Sequence, residues 1–276
     1  MKNIKIKDIE IGKNAPLTFI CGPCVIEDEE TMFEAAYELK KIFSKFNFNF
    51  FFKASFDKAN RSSIDSYRGP GIEKGLQILN DIKEKYDLLV TTDIHLPHQA
   101  DIVKDVVDII QIPAFLCRQT DLLVAAGKTN LAINVKKGQF LSPYEMKNVI
   151  DKILSTGNDK IILTDRGTSF GYNNLVSDFR SILIMKKFNF PVCYDASHSV
   201  QLPAGLGNVS SGQREFIPSL TKAAVAVGAN AIFIESHPNP AIAKSDKKTQ
   251  VPIAEMEELL IDIEKIYNAI NTKVTC

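Results

Sequence analysis

Short apolar segments alternate with longer amphipathic stretches along the whole chain. The apolar segments span residues 17–21, 48–54, 88–92, 108–112, 131–135, 160–164, 191–195 and 231–235. Helical patterns follow them at residues 29–44, 71–86, 97–106, 119–127, 142–156, 176–188, 216–228 and 253–271. The apolar segments do not alternate with polar residues, which is typical of parallel strands that are buried on both faces.

Eight strand–helix units predict an α/β fold, a (β/α)8 barrel that places residues 1–276 in one domain. An open, doubly wound sheet is the main alternative. That fold usually has a glycine-rich turn after its first strand, whereas the turn here reads Cys21-Gly22-Pro23-Cys24. Residues 1–16 alternate isoleucine with charged residues, which predicts a short N-terminal β-hairpin and not a signal peptide.

Charge and cysteine content restrict the class of protein. Lys+Arg and Asp+Glu both number 33, so the chain lacks the basic excess that is typical of nucleic-acid binders. No apolar segment approaches the ~20 residues that span a membrane. The odd count of five cysteines in a chain of 276 residues favours reduced thiols over a disulfide framework, and we therefore expect a cytoplasmic protein.

A polar residue ends or follows every predicted strand, and in barrels of this type the chemistry lies at that face. These residues are Cys24, Lys53, Asp93, Gln111, Lys136, Arg166, His198 and Glu235. Long irregular segments, which are usually functional, follow strands at 55–70, 165–175, 196–215 and 236–252. The third of them is expected to act as a lid and contains Gly205, Gly207 and Gly212.

A thiol, an imidazole and two carboxylates at these positions suit one divalent metal ion, either zinc, ferrous iron or manganese. The four residues are Cys24, His198, Glu235 and Asp246. A carboxylate that ends an apolar strand, as Glu235 does, needs a cation or a metal. Asp246 alone would be a solvated loop charge, and His237 ranks lower as a ligand. CGPC also suits a thioredoxin-like dithiol, but nothing else in the chain needs one.

Three cationic segments follow strands of the predicted barrel. The first, KASFDKANRSS (53–63), starts inside a buried strand and combines cations with small hydroxyl residues. The others, NVKKGQF and TDRGTSFG, place Lys136 and Arg166 beside glycines. Because lysine and arginine suit phosphate and carboxylate groups, three separate clusters predict more than one anionic group on the substrates.

A series of motifs occurs in order along the chain: GPCVIE, KASFDKANRSS, TTDIH, QIPAFLCRQTDL, NVKKGQF, TDRGTSFGYNNL, DASHSVQLP, REFIPSL and ESHPNP. With these motifs the chain resembles the 3-deoxy-D-manno-octulosonate 8-phosphate synthases of the metal-dependent class. The resemblance runs from residue 22 to residue 250. It implies a (β/α)8 barrel, a homotetramer, and the condensation of phosphoenolpyruvate with arabinose 5-phosphate with release of inorganic phosphate. The product would feed lipopolysaccharide synthesis.

The resemblance also implies roles for individual residues. The metal ligands would be Cys24, His198, Glu235 and Asp246. Metal-independent members have asparagine in place of Cys24, so this residue indicates the metal-dependent class. Phosphoenolpyruvate would bind Lys53, Lys58 and Gln111 through its carboxylate region and Lys136 and Arg166 through its phosphate. The pentose phosphate would bind Asn60, Arg61, Ser62 and Asp93, and Arg118 would reach a phosphate in a neighbouring subunit. The catalytic residues would be Lys58, Asp93 and His198; Lys58, Asp93 and a metal-bound water are candidates for the general acid.

Three other functions remain open at this point. A 3-deoxy-D-arabino-heptulosonate 7-phosphate synthase shares the barrel, the metal and phosphoenolpyruvate but accepts a four-carbon sugar phosphate. That enzyme typically has Lys-Pro-Arg where this chain reads Lys58-Ala59-Asn60-Arg61, which favours the longer pentose. A metal-dependent aldolase or hydrolase would act on one sugar phosphate and would not need two anion sites. A non-catalytic binding barrel is the third alternative.

Overall fold

The computed structural model describes residues 1–202 and 211–271, and a closed barrel of eight parallel strands lies at its centre. Each strand pairs with the next along the chain, and the eighth pairs with both the seventh and the first. The strands are β1 (Thr18–Gly22), β2 (Asn49–Lys53), β3 (Leu89–Asp93), β4 (Ile109–Ile112), β5 (Ala132–Lys136), β6 (Ile161–Asp165), β7 (Val192–Asp195) and β8 (Ala231–His237). The predicted (β/α)8 fold is confirmed.

A helix follows each strand. The helices are α1 (Glu29–Phe43), α2 (Ile72–Tyr86), α3 (Gln99–Val103), α4 (Thr120–Lys128), α5 (Met146–Leu154), α6 (Arg180–Lys186), α7 (Ile217–Val227) and α8 (Ile253–Asn271). Local sequence sets their ends, as α1 illustrates. The Asp28 side chain accepts the Thr31 N–H at 2.9 Å and so caps the helix. None of the helices among the described residues has the length and apolar composition needed to cross a membrane.

Apolar side chains fill both the space between helices and barrel and the inside of the barrel. The inner cluster includes Ile20, Phe51, Ile109 and Phe233 from four different strands. The outer cluster joins the other faces of the strands to the helices. Both faces of each strand are therefore buried, which explains the absence of polar alternation in the sequence.

The predicted N-terminal hairpin is also confirmed. Strands Ile4–Ile6 and Ile9–Ile11 pair antiparallel, and their buried isoleucines join the inner cluster of the barrel. Lys7, in the turn, approaches Asp108 at 3.0 Å. The hairpin thus packs at the end of the barrel where the strands begin, opposite the end to which the predicted site residues map.

Two predicted helices are shorter in the structure. The helix expected at 97–106 spans only Gln99–Val103. The helix expected at 176–188 begins at Arg180, where the Asp178 side chain accepts the Arg180 N–H at 3.0 Å. The residues before it form a small hairpin, with Leu175–Val176 paired to Thr168–Ser169. The predicted helix start at residue 176 is thus the last residue of this hairpin, four residues before the observed start.

Candidate active site

The carboxyl ends of the barrel strands surround a cavity of about 930 Å³. Six of the eight polar residues predicted at strand ends line it, namely Lys53, Asp93, Gln111, Lys136, Arg166 and His198. The other two, Cys24 and Glu235, are fully buried and contact residues of this lining. Strand register explains the convergence, because it sets Asp93 beside Gln111 and Glu235 beside Gly22 at a common level.

Three of the four predicted metal ligands form a compact group. Cys24, Glu235 and Asp246 each offer one ligand atom, and these atoms lie within 4.8 Å of one another. The Cys24 Sγ is 3.0 Å from Asp246 Oδ2. The fourth predicted ligand, His198, places Nε2 3.6 Å from Glu235 Oε1. The structure therefore brings all four side chains to one place, although they lie far apart in the sequence.

The donor set of this group fits a divalent transition metal. It combines a thiol, an imidazole and two carboxylates, which are ligands of zinc, iron and manganese in proteins. Glu235 Oε2 is buried and accepts no hydrogen bond from any residue that the structure describes. A buried carboxylate oxygen without a partner is costly, and an ion at this position would satisfy it.

Backbone geometry at two residues makes the group possible. Gly22 has φ +154°, and a Cβ there would lie 2.3 Å from the Lys53 carbonyl oxygen, so only glycine lets β1 end this close to β2. Cys24 follows two residues later. Asp246 adopts the left-handed conformation with φ +46°, which aspartate tolerates better than most residues. Its carbonyl then accepts the Thr249 N–H at 2.9 Å in a tight turn.

Asp195 orients the imidazole of His198. Its Oδ1 accepts the backbone N–H of His198 at 2.9 Å and lies 3.0 Å from the ring Nδ1. This contact assigns the ring proton to Nδ1 and leaves Nε2 free to face Glu235. Burial alone would raise the pKa of Asp195, but its contacts with His198 and with the Lys136 ammonium hold it well below its usual value. Asp195 is therefore ionised and holds the His198 ring in place.

Ionisation within the metal-ligand group depends on its charged neighbours. Burial and the carboxylates of Asp246 and Glu235 raise the pKa of the Cys24 thiol well above its usual value. Burial would raise the pKa of Asp246 as well, but His198 and Lys58 lower it to about 2. A bound divalent cation would reverse the shift at Cys24, because a metal favours the thiolate that coordinates it.

The cations expected to hold phosphoenolpyruvate lie next to this group. Lys53 is buried and donates to the Cys24 carbonyl at 3.0 Å, and its Nζ is 3.4 Å from Glu235 Oε1. Lys58 Nζ is 4.0 Å from the same oxygen. Burial would lower the pKa of Lys58, but Cys24 in its thiolate form and the carboxylates of Glu235 and Asp93 outweigh it and raise the pKa.

The predicted phosphate ligands occupy another side of the cavity. Lys136 donates to Asp195 at 2.6 Å and lies 3.4 Å from the centre of the Phe233 ring. Arg166 donates from Nη2 to Gln201 at 2.7 Å. Its other terminal nitrogen is buried without a hydrogen-bond partner among the described residues, as is Oε1 of Gln111. The Arg166 nitrogen is therefore available to donate to a bound anion, whereas the Gln111 oxygen can only accept a hydrogen bond.

The segment expected to bind the sugar phosphate lies at the rim. Asn60, Arg61 and Ser62 all line the cavity. Arg61 Nε donates to the Tyr67 carbonyl at 2.9 Å. This bond holds residues 60–62 against a later part of the same loop. Arg118, by contrast, is exposed and is not among the residues that line the cavity of its own chain. The structure therefore does not bring Arg118 to the cavity of its own chain.

Part of the predicted lid segment, 196–215, can be located. Gln201–Leu202 pairs antiparallel with Ser211–Gly212, and a Cβ on Gly212 would lie 2.1 Å from Thr249 Cγ2. The base of the segment thus packs closely on the loop that carries Asp246. Gly205 and Gly207, which the lid prediction also invoked, lie outside the described residues.

Several residues that contact the predicted set were not predicted from the sequence, among them Asp195, His95 and Gln201. His95 lines the cavity, its Nε2 lies 3.0 Å from Asp93 Oδ2, and its buried Nδ1 has no hydrogen-bond partner among the described residues. Gln201 donates to Asp246 Oδ1 at 3.1 Å and accepts from Arg166, so it connects the predicted metal and phosphate sites. His95 lies in the motif TTDIH and Gln201 in the motif DASHSVQLP, and these motifs were the signal that could have identified the two residues. His237, the lower-ranked ligand, instead lies 3.5 Å from Glu27.

Comparison with known proteins assigns the chain to a family. A model described as the DAHP synthetase I family matches residues 1–272. The chain belongs to the DAHP synthetase I family. Within curated proteins it is 54% identical over 270 residues to a 2-dehydro-3-deoxyphosphooctonate aldolase of Protochlamydia amoebophila, covering 98% of both chains. It is 50% identical over 273 residues to the protein of that name from Fusobacterium nucleatum, again covering 98% of both. A third, from Cyanothece sp., is 52% identical over 263 residues, covering 95% of this chain and 96% of its relative.

Proposed function

We propose that this chain condenses phosphoenolpyruvate with D-arabinose 5-phosphate and water, giving 3-deoxy-D-manno-octulosonate 8-phosphate and inorganic phosphate. The observation that carries the proposal is the shared name of relatives that match nearly the whole chain at 50–54% identity. A phosphooctonate has eight carbons, which is the sum of three from phosphoenolpyruvate and five from a pentose. A four-carbon acceptor would give a heptonate, so the name favours the main interpretation over the heptulosonate alternative.

The cationic lining supports two anionic substrates in one cavity. Lys136 and Arg166 would hold the phosphate of phosphoenolpyruvate, and Lys53, Lys58 and Gln111 its carboxylate region. Asn60, Arg61 and Ser62 would hold the phosphate end of the pentose, with Asp93 at a sugar hydroxyl. Cations held on strand ends neutralise two anions that would otherwise repel, and they place the reacting carbons together.

One divalent metal ion completes the site in this proposal, and Cys24, His198, Glu235 and Asp246 would hold it. When bound, such an ion can polarise the aldehyde as a Lewis acid, orient it, or lower the pKa of a water molecule. Its ligands suit zinc, ferrous iron or manganese. The buried, unpartnered oxygen of Glu235 supports this assignment.

The bond-forming step joins C3 of phosphoenolpyruvate to the aldehyde carbon, water adds at C2, and phosphate then leaves. Of the two side chains among the three candidate general acids, Lys58 and Asp93, we favour Lys58. Its neighbours keep it protonated. Burial would raise the pKa of Asp93, but His95 and the nearby lysines hold it well below its usual value, so Asp93 is ionised and can only accept hydrogen bonds. Asp93 would therefore position a hydroxyl and Lys58 would donate the proton.

We also propose that the chain acts as a homotetramer in the cytoplasm. Phe115, Phe170 and Tyr172 are exposed in loops that follow strands, and Arg118 is exposed near Phe115 in sequence. Exposed aromatic side chains at one face support contact with another subunit. The four cysteines that the structure describes are free and buried, which supports a reducing compartment. The product would enter lipopolysaccharide synthesis.

A phosphate-release assay tests the proposal. Phosphate should appear only when phosphoenolpyruvate and an aldose phosphate are both present, and a five-carbon acceptor should give the highest kcat/KM. Activity should be lost with a strong chelator and return with divalent metal. Faster turnover with erythrose 4-phosphate would favour the heptulosonate alternative. Release from a single sugar phosphate would instead favour the hydrolase or aldolase.

A further inference from the structure

Three loops at the mouth of the barrel each carry part of the proposed site. We call them loop 1 (residues 23–28), loop 2 (residues 54–71) and loop 8 (residues 238–250). Loop 1 carries Cys24 and loop 8 carries Asp246. Loop 2 carries residues 60–62, which are proposed to bind the pentose phosphate and which we call the acceptor segment. The relative placement of the three loops sets the distance between the proposed metal ligands and the residues proposed to bind the pentose phosphate, which we call the acceptor site. Cys24 contacts loop 8 directly, through Ser245, Asp246 and Gln250. Glu27 contacts both of the other loops, and the proposed reaction gives it no role.

Glu27 joins loop 1 directly to loop 8. Its side chain is 6% exposed, and its Oε1 accepts the backbone N–H of Lys244 at 2.7 Å. His237, at the end of β8, places Nε2 3.5 Å from the same oxygen. A carboxylate that accepts from a backbone N–H makes a stronger hydrogen bond than a neutral acceptor would. Lys244 is two residues from Asp246, so this bond fixes the start of the turn that presents the Asp246 carboxylate.

The same residues hold loop 2. Tyr67 directs its hydroxyl at the carbonyls of Ile26 and Glu27, at 3.0 and 3.1 Å. Lys244 Nζ lies 4.7 Å from the centre of the Tyr67 ring, a distance that suits a cation–π contact. Arg61, from the acceptor segment, donates to the carbonyl of Tyr67 at 2.9 Å and to that of Lys244 at 3.4 Å. The acceptor segment is thus tied to both of the other loops.

We propose that Glu27 is a positioning residue that couples the metal site to the acceptor site. The inference rests on the proposed function, since it needs both sites to exist. Without the carboxylate, loop 8 loses its bond at Lys244, and both Asp246 and the anchor of Arg61 are free to shift. Metal affinity and acceptor binding should then weaken together. Phosphoenolpyruvate binding should weaken less, because Lys53, Lys136 and Arg166 stand on strands or just after one, and only Lys58 belongs to these loops.

Glu27→Gln and Glu27→Ala test the proposal, with Glu29→Gln as the matched control. Glu29 is an exposed carboxylate two residues away that pairs only with Lys74 among described residues. Cobalt(II) titration of the metal-free protein, followed by the thiolate-to-cobalt absorption band, reports metal affinity without turnover. We expect Glu27→Ala to weaken cobalt binding by about 10–100-fold, the usual loss when a residue behind a metal ligand is removed. The KM for the pentose phosphate should rise by a larger factor than the KM for phosphoenolpyruvate.

The glutamine variant separates positioning from folding. It keeps an oxygen that can accept from Lys244, so it should retain the melting temperature and show a smaller loss of cobalt affinity than alanine. Cobalt affinity and both KM values equal to wild type in Glu27→Ala would overturn the proposal. So would equal increases in the two KM values. A wild-type protein that neither binds cobalt through a thiolate nor turns over would instead refute the proposed function.

Discussion

One carboxylate, Asp195, holds both the imidazole of His198 and the ammonium of Lys136, at 3.0 and 2.6 Å. It therefore connects a proposed metal ligand with a proposed phosphate ligand, although it touches neither substrate nor metal in our proposal. Asp195 and Lys136 are both almost fully buried, so neither charge can be satisfied by water if its partner is lost.

Asp195→Asn should damage both sites at once. Asparagine fills the same space but cannot neutralise Lys136, and it holds the His198 ring less firmly. We expect metal affinity to fall by about 10–100-fold and the KM for phosphoenolpyruvate to rise. Metal titration and steady-state kinetics measure the two effects. Asp178→Asn, at an exposed pair with Arg180, is the control and should leave both unchanged. A loss of metal affinity alone would show that Asp195 does not position Lys136.

Cys24→Ala should abolish metal binding and turnover. The residue supplies the only sulfur in the proposed ligand group, and alanine leaves no donor in its place. Phosphate release and metal content, measured on the same sample, check this. Cys21→Ser is the control, because Cys21 packs in the outer core cluster and does not belong to the proposed ligand group. The buried hydroxyl should lower stability, but turnover of the folded protein should stay largely intact. Full turnover of wild type after complete removal of metal would contradict the metal-dependent assignment.

Lys136→Ala should affect phosphoenolpyruvate more than the sugar. Lys136 lines the cavity close to Phe233 and lies away from the acceptor segment at residues 60–62 along the barrel wall. We expect the KM for phosphoenolpyruvate to increase by at least about tenfold, the effect of losing roughly 1.4 kcal/mol of binding. Initial rates with each substrate varied in turn measure this. A defect confined to the pentose phosphate would show that the two subsites are exchanged.

Sequence alone predicted the barrel and the residues at its mouth, for one physical reason. Strands buried on both faces are apolar throughout, so a lysine such as Lys53 or a carboxylate such as Glu235 at a strand end stands out. Closure of the barrel then brings every strand end to one cavity. Sequence could not show Gln201 between Arg166 and Asp246, because that contact depends on the path of two long loops.

The pair Lys136-Lys137 shows a second limit. The sequence NVKKGQF predicts one cationic cluster for an anion. In the structure only Lys136 lines the cavity, whereas Lys137 is fully buried and its Nζ is 3.3 Å from Asp165 Oδ1. Consecutive residues at the end of a strand point to opposite faces, so the two lysines cannot serve the same site. The sequence indicated two cations at the end of this strand. Only the structure shows that Lys136 faces the cavity and that Lys137 pairs with Asp165 instead.

The acid stability of the metal-free protein should depend on Asp93. The pKa of this buried carboxyl is held below its usual value by His95 and nearby lysines. A lowered pKa in the folded state contributes stability above the unfolded value of about 3.9, and this contribution is lost as pH falls below it. We expect the melting temperature of wild type to be level above about pH 5 and to fall below about pH 4. Asp93→Asn should show a lower plateau and a shallower acid decline; an unchanged decline would reject this assignment.

Lys137→Met should destabilise the fold without removing a substrate contact. The Lys137 ammonium also approaches the carbonyl oxygens of Leu141 and Gly167, at 3.3 Å each, so it ties the end of β5 to the loop that carries Arg166. Methionine fills similar space but leaves the buried Asp165 charge unpaired, which typically costs about 3–5 kcal/mol. Urea unfolding measures the loss.

Lys147→Met is the matched control, because Lys147 pairs with Asp151 on an exposed helix face, where such pairs contribute at most about 1 kcal/mol. Equal free energies of unfolding for the two variants would show that the Lys137–Asp165 pair contributes no more than a surface pair.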